Sequence, residues 1–119
     1  MKRGPEDKSK IELINFLGKK AKENKAPIWR AVAEKLKKPR RKRVEVSINK
    51  ISKYLKENEI AVVPGKVIGS GYVNNKMNIA AYKFSKGVKE KIEKVGGRCI
   101  NIKELVESNP KGSGVKIIG

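Results

Sequence analysis

The 119 residues predict an α+β fold, in which N-terminal helices with a basic loop are followed by a compact layered β/β/α domain. Three observations carry this reading. Up to about residue 57 the apolar side chains recur at helical spacing, whereas from Ile60 they fall into short β-prone runs separated by Gly, Pro and Asn. Between two of the helical segments, Lys37 to Arg43 reads K-K-P-R-R-K-R, six cations in seven residues around one proline. The length suits one domain over 1–119, with a helical, strongly basic part over 1–58 and a mixed α/β part over 59–119.

The first helix is predicted over 9–24. Ser9 with Glu12 three residues on forms a capping box, and Ile11, Ile14, Leu17 and Ala21 then keep one face, leaving a basic face opposite. Pro27 suits the first turn of a second helix, where Trp29, Val32, Ala33 and Leu36 fall at i, i+3, i+4 and i+7. This spacing makes Trp29 a core anchor rather than a platform for stacked bases. Pro39 cannot continue the helix and ordered-looking sequence follows at once, so the cationic run reads as a loop held at a fixed angle. Ser47 caps a third helix that buries Ile48, Ile51 and Leu55 and turns Lys50, Lys53 and Lys56 to its other faces.

The second part changes period. Ile60 to Val63 is a short apolar strand, Pro64-Gly65 fits the centre of a type II turn, and Lys66 to Ile68 resumes the strand. After the Gly69-Ser70-Gly71 break and the Asn74-Asn75 turn, Met77 to Phe84 alternates in part, with Ile79, Ala81 and Lys83 on one side and Ala80, Tyr82 and Phe84 on the other, which places the two aromatics on one buried face. Ser85 is expected to cap a helix with Val88, Ile92 and Val95 on one stripe, closed by Gly96-Gly97. Arg98 to Ile102 reads as a strand, Asn101 with Glu104 as the cap of a short helix ended by Asn109-Pro110, and Val115 to Ile118 as a last strand.

Charge narrows the function. Lys and Arg number 30 against 12 Asp and Glu, and the resulting +18 is a self-repulsion that a polyanion relieves. Residues 1–43 hold net +11 and residues 44–119 net +7, so the binding face is front-loaded. The longest uncharged runs are too short to cross a bilayer, and the start M-K-R-G-P-E-D-K has no apolar stretch behind it, so neither a membrane nor export is expected. Cys99 is the single cysteine and there is no histidine, which removes an internal disulfide and the ligands of a zinc site. Cys99 is read as a small buried hydrophobe in a reducing compartment.

No enzyme, cofactor or small-molecule substrate is expected. Asp7 is the only aspartate, and the glutamates mostly alternate with lysines at helical spacing, as Glu90 does with Lys94. The stretch K-V-I-G-S-G lacks the spacing of a P-loop or a dinucleotide fingerprint, so Pro64, Gly65, Gly69 and Gly71 are read as a structural hinge. Among binding readings, a helix-turn-helix DNA regulator has the helices but not the turn, because the connection is a long basic loop with proline. A sheet-based RNA reader would need a fuller aromatic signature than Tyr82 and Phe84. Scattered lysines, an arginine-rich loop and a modest core suit a protein that grips folded RNA by its phosphates.

Specific motifs sharpen this. E-K-L-K-K-P-R-R-K-R-V-E-V-S-I-N-K-I (34–51), V-V-P-G-K-V-I-G-S-G-Y-V (62–73), A-A-Y-K-F-S (80–85) and N-P-K-G-S-G-V-K-I-I (109–118) closely resemble the archaeal and eukaryotic large-subunit ribosomal protein family called eighteen-e, a relative of bacterial large-subunit protein fifteen. The resemblance implies a cytoplasmic structural constituent of the large ribosomal subunit, bound to large-subunit ribosomal RNA and neighbouring ribosomal proteins and monomeric when free. By matching position, Lys37, Lys38, Arg40, Arg41, Lys42 and Arg43 are the expected RNA clamp, with Lys66, Lys111 and Lys116 as secondary contacts.

Overall fold

The computed structural model describes residues 8–37, 45–56, 58–69 and 76–119. α1 spans Lys8–Asn24 and α2 spans Pro27–Leu36. Ser9 is itself helical, inside α1 rather than at the extended position before it that a cap requires. The buried stripe of α1 is also displaced. Leu17 and Ala21 are buried as expected, but Ile11 is 54% exposed, and Leu13 and Phe16 pack against the core beside Ile14. Lys25, at φ 52, closes α1 in the left-handed region, with the Ala26 N–H donating to the Ala21 carbonyl at 3.0 Å. The chain thereby reverses into Pro27, the first residue of α2, which buries Trp29, Val32, Ala33 and Leu36 as their spacing predicts.

Among the described residues five strands form one parallel sheet: β1 (Glu45–Ser47), β2 (Ile60–Ile68), β3 (Asn78–Phe84), β4 (Arg98–Asn101) and β5 (Val115–Ile117). Its order is β1-β2-β3-β4, with β5 also paired to β2. β3 runs along one edge of β2, so β5 and β1 share the other, β5 against Ile60–Val62 and β1 against Lys66–Ile68. The remaining helices are α3 (Ile48–Tyr54), α4 (Val88–Lys94) and α5 (Ile102–Ser108).

Alternate residues of the central strands feed two cores. Val62 and Ala80 join Leu17, Trp29, Leu36 and Leu105 in the core under α1, α2 and α5. Ala61, Val63, Ile79 and Ala81 join Ile48, Ile51, Val88 and Ile92 in the core under α3 and α4. The mixed helix-and-sheet class therefore holds, with helices on both faces, which is the burial a parallel sheet needs. Among the described residues no helix is long and apolar enough to cross a membrane.

Three local readings require correction. First, the chain does not turn back at Pro64-Gly65: β2 continues through both residues, and its register against β3 shifts between Val63 and Lys66. Pro64 is tolerated in a buried central strand because no partner strand is registered to it on either edge, so its missing N–H costs no ladder bond. Second, Tyr82 and Phe84 do not share a face. The shift breaks the alternation of β3, so that Tyr82 packs against the α1, α2 and α5 core and Phe84 against the α3 and α4 core. Third, α4 is capped by Gly87 at φ 87 rather than by Ser85, which instead accepts the Val88 N–H through its carbonyl at 3.2 Å. The strand β1 is an addition.

Other local expectations hold. Ser47 Oγ accepts from the Lys50 N–H at 3.2 Å, and Asn101 Oδ1 accepts from the Glu104 N–H at 2.8 Å. At the end of α4 the Gly96 and Gly97 N–H groups donate to the Glu93 and Ile92 carbonyls, each at 3.0 Å, with Gly96 at φ 86. Gly97 is further constrained by close approach, since a Cβ there would stand 2.1 Å from the Met77 carbonyl oxygen.

Candidate nucleic-acid interface

Of the expected clamp, Lys37 is described. It follows α2, donates its N–H to the Ala33 carbonyl at 3.2 Å, and places Nζ 3.2 Å from Glu34 Oε2 with both side chains exposed. An exposed pair of this kind contributes little stability and leaves Lys37 available to a stronger anion. Lys38, Arg40, Arg41, Lys42 and Arg43 lie outside the described residues, as does Gly71. The described residues on either side of that run belong to defined elements: α2 packs on one face of the sheet, and Glu45 of β1 is registered to Lys66.

The secondary contacts differ in kind. Lys66 is half-buried in β2 and stands in register between Glu45 and Lys83. Lys116 is half-buried in β5 and donates to the Tyr54 carbonyl at 3.0 Å, tying the last strand to the end of α3. An ammonium has three donors, so this bond leaves capacity for a phosphate. Lys111 is exposed on a loop that is fixed from both sides. Asn109 Nδ2 donates to the Ser113 carbonyl at 2.8 Å, and its Oδ1 accepts the Ser113 N–H at 3.2 Å. The Trp29 indole N–H donates to the Pro110 carbonyl at 2.8 Å. Gly112, at φ 72, lies so close to α2 that a Cβ would stand 2.6 Å from Ile28 Cγ2.

Gly69 ends β2 against α4: a Cβ there would meet Val88 Cγ2 at 3.2 Å, and its carbonyl accepts from Lys91 Nζ. Exposed Lys50, Lys53 and Lys56 surround Tyr54 in sequence, and Tyr54 is itself 55% exposed. Sequence reasoning placed Tyr82 in the core, yet it is half-buried, with Lys83 Nζ 5.5 Å and Lys10 Nζ 6.0 Å from its ring centroid. Phe16 is held similarly, by Lys103 at 5.5 Å and Lys20 at 5.8 Å. The signal available beforehand was Phe16 with Lys20 one helical turn later; the contacts with Lys10 and Lys103 depend on the tertiary fold.

The helix-turn-helix alternative loses its geometry. β1 intervenes between α2 and α3, and the two helices pack on opposite faces of the sheet, so they cannot present a turn and a recognition helix together. Among the described residues no group of His, Cys, Asp and Glu could hold a metal ion.

Cys99 is half-buried rather than fully buried, and packs against the α3 and α4 core. Burial pushes its thiol up to about 11, with Glu93 adding to the effect and Lys89 opposing it. At neutral pH it is therefore a protonated thiol. Its alkylation by iodoacetamide is expected to be slower than that of free cysteine and to accelerate only as the pH approaches about 11. Rapid alkylation at neutral pH would contradict this environment.

The family model described as ribosomal protein 60S L18 and 50S L18e matches residues 7–119. The chain is 48% identical over 108 residues to large ribosomal subunit protein eL18 of Archaeoglobus fulgidus, covering 91% of this chain and 92% of that protein. It is 49% identical over 107 residues to the protein of the same name from Methanococcus maripaludis, covering 90% and 89%, respectively. With that of Methanopyrus kandleri it shares 43% identity over 120 residues, covering 97% and 94%.

Proposed function

The chain belongs to the family of ribosomal protein 60S L18 and 50S L18e, and on that premise we propose that it is a structural constituent of the large ribosomal subunit, held by phosphate contacts to ribosomal RNA and by packing against neighbouring ribosomal proteins. The observation that carries the reading is the family match over 7–119 on a chain of net charge +18. In such a protein the favourable term is counterion release: each phosphate neutralised by Lys or Arg frees condensed cations, so affinity falls steeply with salt. Among the described residues, surface ion pairs offset only part of the charge. Lys19 and Lys20 share Glu23, and Lys37 meets Glu34, all on the surface.

Arg40, Arg41 and Arg43 supply forked, two-bond contacts to phosphates, while Lys37, Lys38 and Lys42 supply point charge. Lys66, Lys111 and Lys116 extend the contact from the sheet and from the fixed 109–114 loop. The chain does no chemistry of its own, works in the cytoplasm and is monomeric when free.

Sedimentation of a gently lysed extract through a sucrose gradient tests this. The protein is expected to travel with large subunits and whole ribosomes, and to be released by ribonuclease but not by deoxyribonuclease. Recovery at the top of the gradient, or release by deoxyribonuclease, would overturn the assignment.

A further inference from the structure

Two grooves, of about 450 Å³ and 290 Å³, meet at Ala81, Tyr82 and Asn101 and make one trough across the C-terminal ends of β3 and β4. Glu12, Leu13 and Phe16 of α1 line one end of it, and the 85–90 segment entering α4 lines the other. The C-terminal ends of parallel strands are where open α/β sheets place ligands. The trough has the size of a small-ligand site, roughly 300–1,000 Å³. Its apolar surfaces include the half-buried rings of Tyr82, Phe84 and Phe16.

The charge around those rings is of two kinds. Lys83, Lys86, Lys89 and Lys103 line the trough, and Lys10 and Lys20 reach over the rings of Tyr82 and Phe16, respectively. Glu12, Glu90 and Glu104 line it as well. A surface that bound phosphate alone would gain nothing from carboxylates, and an acidic peptide would be repelled by them. A nucleotide uses both, because its phosphate meets the ammoniums and its base offers amino groups to carboxylate acceptors.

We propose that this trough holds an unpaired nucleotide of RNA, its base stacked on Tyr82 or Phe16 and its phosphates met by the lysines at the rim. The proposal rests on the reading of the chain as an RNA-binding protein and adds a second mode, aromatic stacking, to the phosphate clamp. The lysines now lying over the two rings, 5.5–6.0 Å from the centroids, are long flexible side chains that swing outward to the backbone as the flat base replaces them.

The test compares the full chain with Tyr82→Leu and Tyr82→Phe variants. Binding is measured to a short fluorescein-labelled single-stranded RNA and to the same strand annealed to its complement, with thermal melting to establish folding. Tyr82→Leu is expected to weaken single-strand binding by about 5- to 140-fold, corresponding to roughly 1–3 kcal/mol per stacked base. Duplex binding and both salt slopes should stay unchanged, and Tyr82→Phe should retain single-strand affinity.

A folded Tyr82→Leu protein that binds the single strand as wild type does overturns the proposal. If the same protein also fails to enter large subunits, a protein neighbour fills the trough instead. Independently of any variant, ultraviolet irradiation of the wild-type chain with a 5-bromouridine-containing single strand should give an adduct on the peptide bearing Tyr82 or Phe16, and adducts confined to other peptides overturn the proposal. Failure of the wild-type chain to bind either RNA would sink the broader RNA reading together with it.

Discussion

Trp29→Ala is expected to lower the stability of the fold by about 3–5 kcal/mol, the range for truncating a fully buried large aromatic. A domain of this size has only roughly 5–15 kcal/mol in total, so much of the margin goes. Trp29 is 0% exposed in the core under α1, α2 and α5, where Leu17, Val32, Val62 and Leu105 also pack. Its indole N–H additionally holds the Pro110 carbonyl at 2.8 Å, and Gly112 of the same loop lies beside the ring, where a Cβ would be in van der Waals contact with Trp29 Cζ2 at 3.6 Å. Truncation therefore opens a cavity and unfastens the loop that carries Lys111.

The two losses are separable. Trp29→Phe keeps most of the ring but removes the donor, and should cost less than the alanine variant while still orphaning the Pro110 carbonyl. Urea unfolding reads both from the midpoint, with an unchanged slope showing that the folded and unfolded states are otherwise the same. If the alanine variant kept full stability and lost RNA affinity, Trp29 would be a stacking residue and its place in the core would be misassigned.

How far the fold could be read from the sequence tracks the range of the interactions that decide each element. α2 was legible in full, because its four buried positions repeat at one helical period and Pro27 marks its start. The caps at Ser47 and Asn101 and the glycine closure of α4 are contacts within six residues, and each was found. The parallel pairing was not legible. β2 meets β3 about eighteen residues on and β5 more than fifty residues on, and local pattern is blind to such partners.

The error at Pro64-Gly65 has the same origin. Taken locally, that dipeptide is a turn; in the sheet it falls in the one stretch of β2 where no neighbour needs a ladder bond. β1 escaped notice because three residues carry no period, and their strand character comes from Lys66 to Ile68 alongside. The candidate sites divide likewise. The basic run announces itself by local charge, whereas the trough at Tyr82 is assembled from α1, β3, α4, β4 and α5 and leaves no local mark.

Replacing Arg40, Arg41 and Arg43 together with alanine is expected to flatten the dependence of log affinity on log salt by about 0.9 unit per lost duplex phosphate contact, and about 0.7 on single-stranded RNA. Three contacts would give a change of roughly 2–3 units and a correspondingly large loss of affinity at low salt, which shrinks as salt rises because the released counterions no longer matter. In sequence these arginines stand between Lys37, which follows α2, and Glu45 of β1, which is registered to Lys66 on the edge of β2. A triple lysine variant separates charge from shape: the salt slope should remain as in wild type, while affinity falls through loss of the forked, two-bond contacts that only a guanidinium makes. An alanine variant with the wild-type slope and an unchanged melting curve would remove these arginines from the interface and leave the binding charge to the lysines of the sheet and helices.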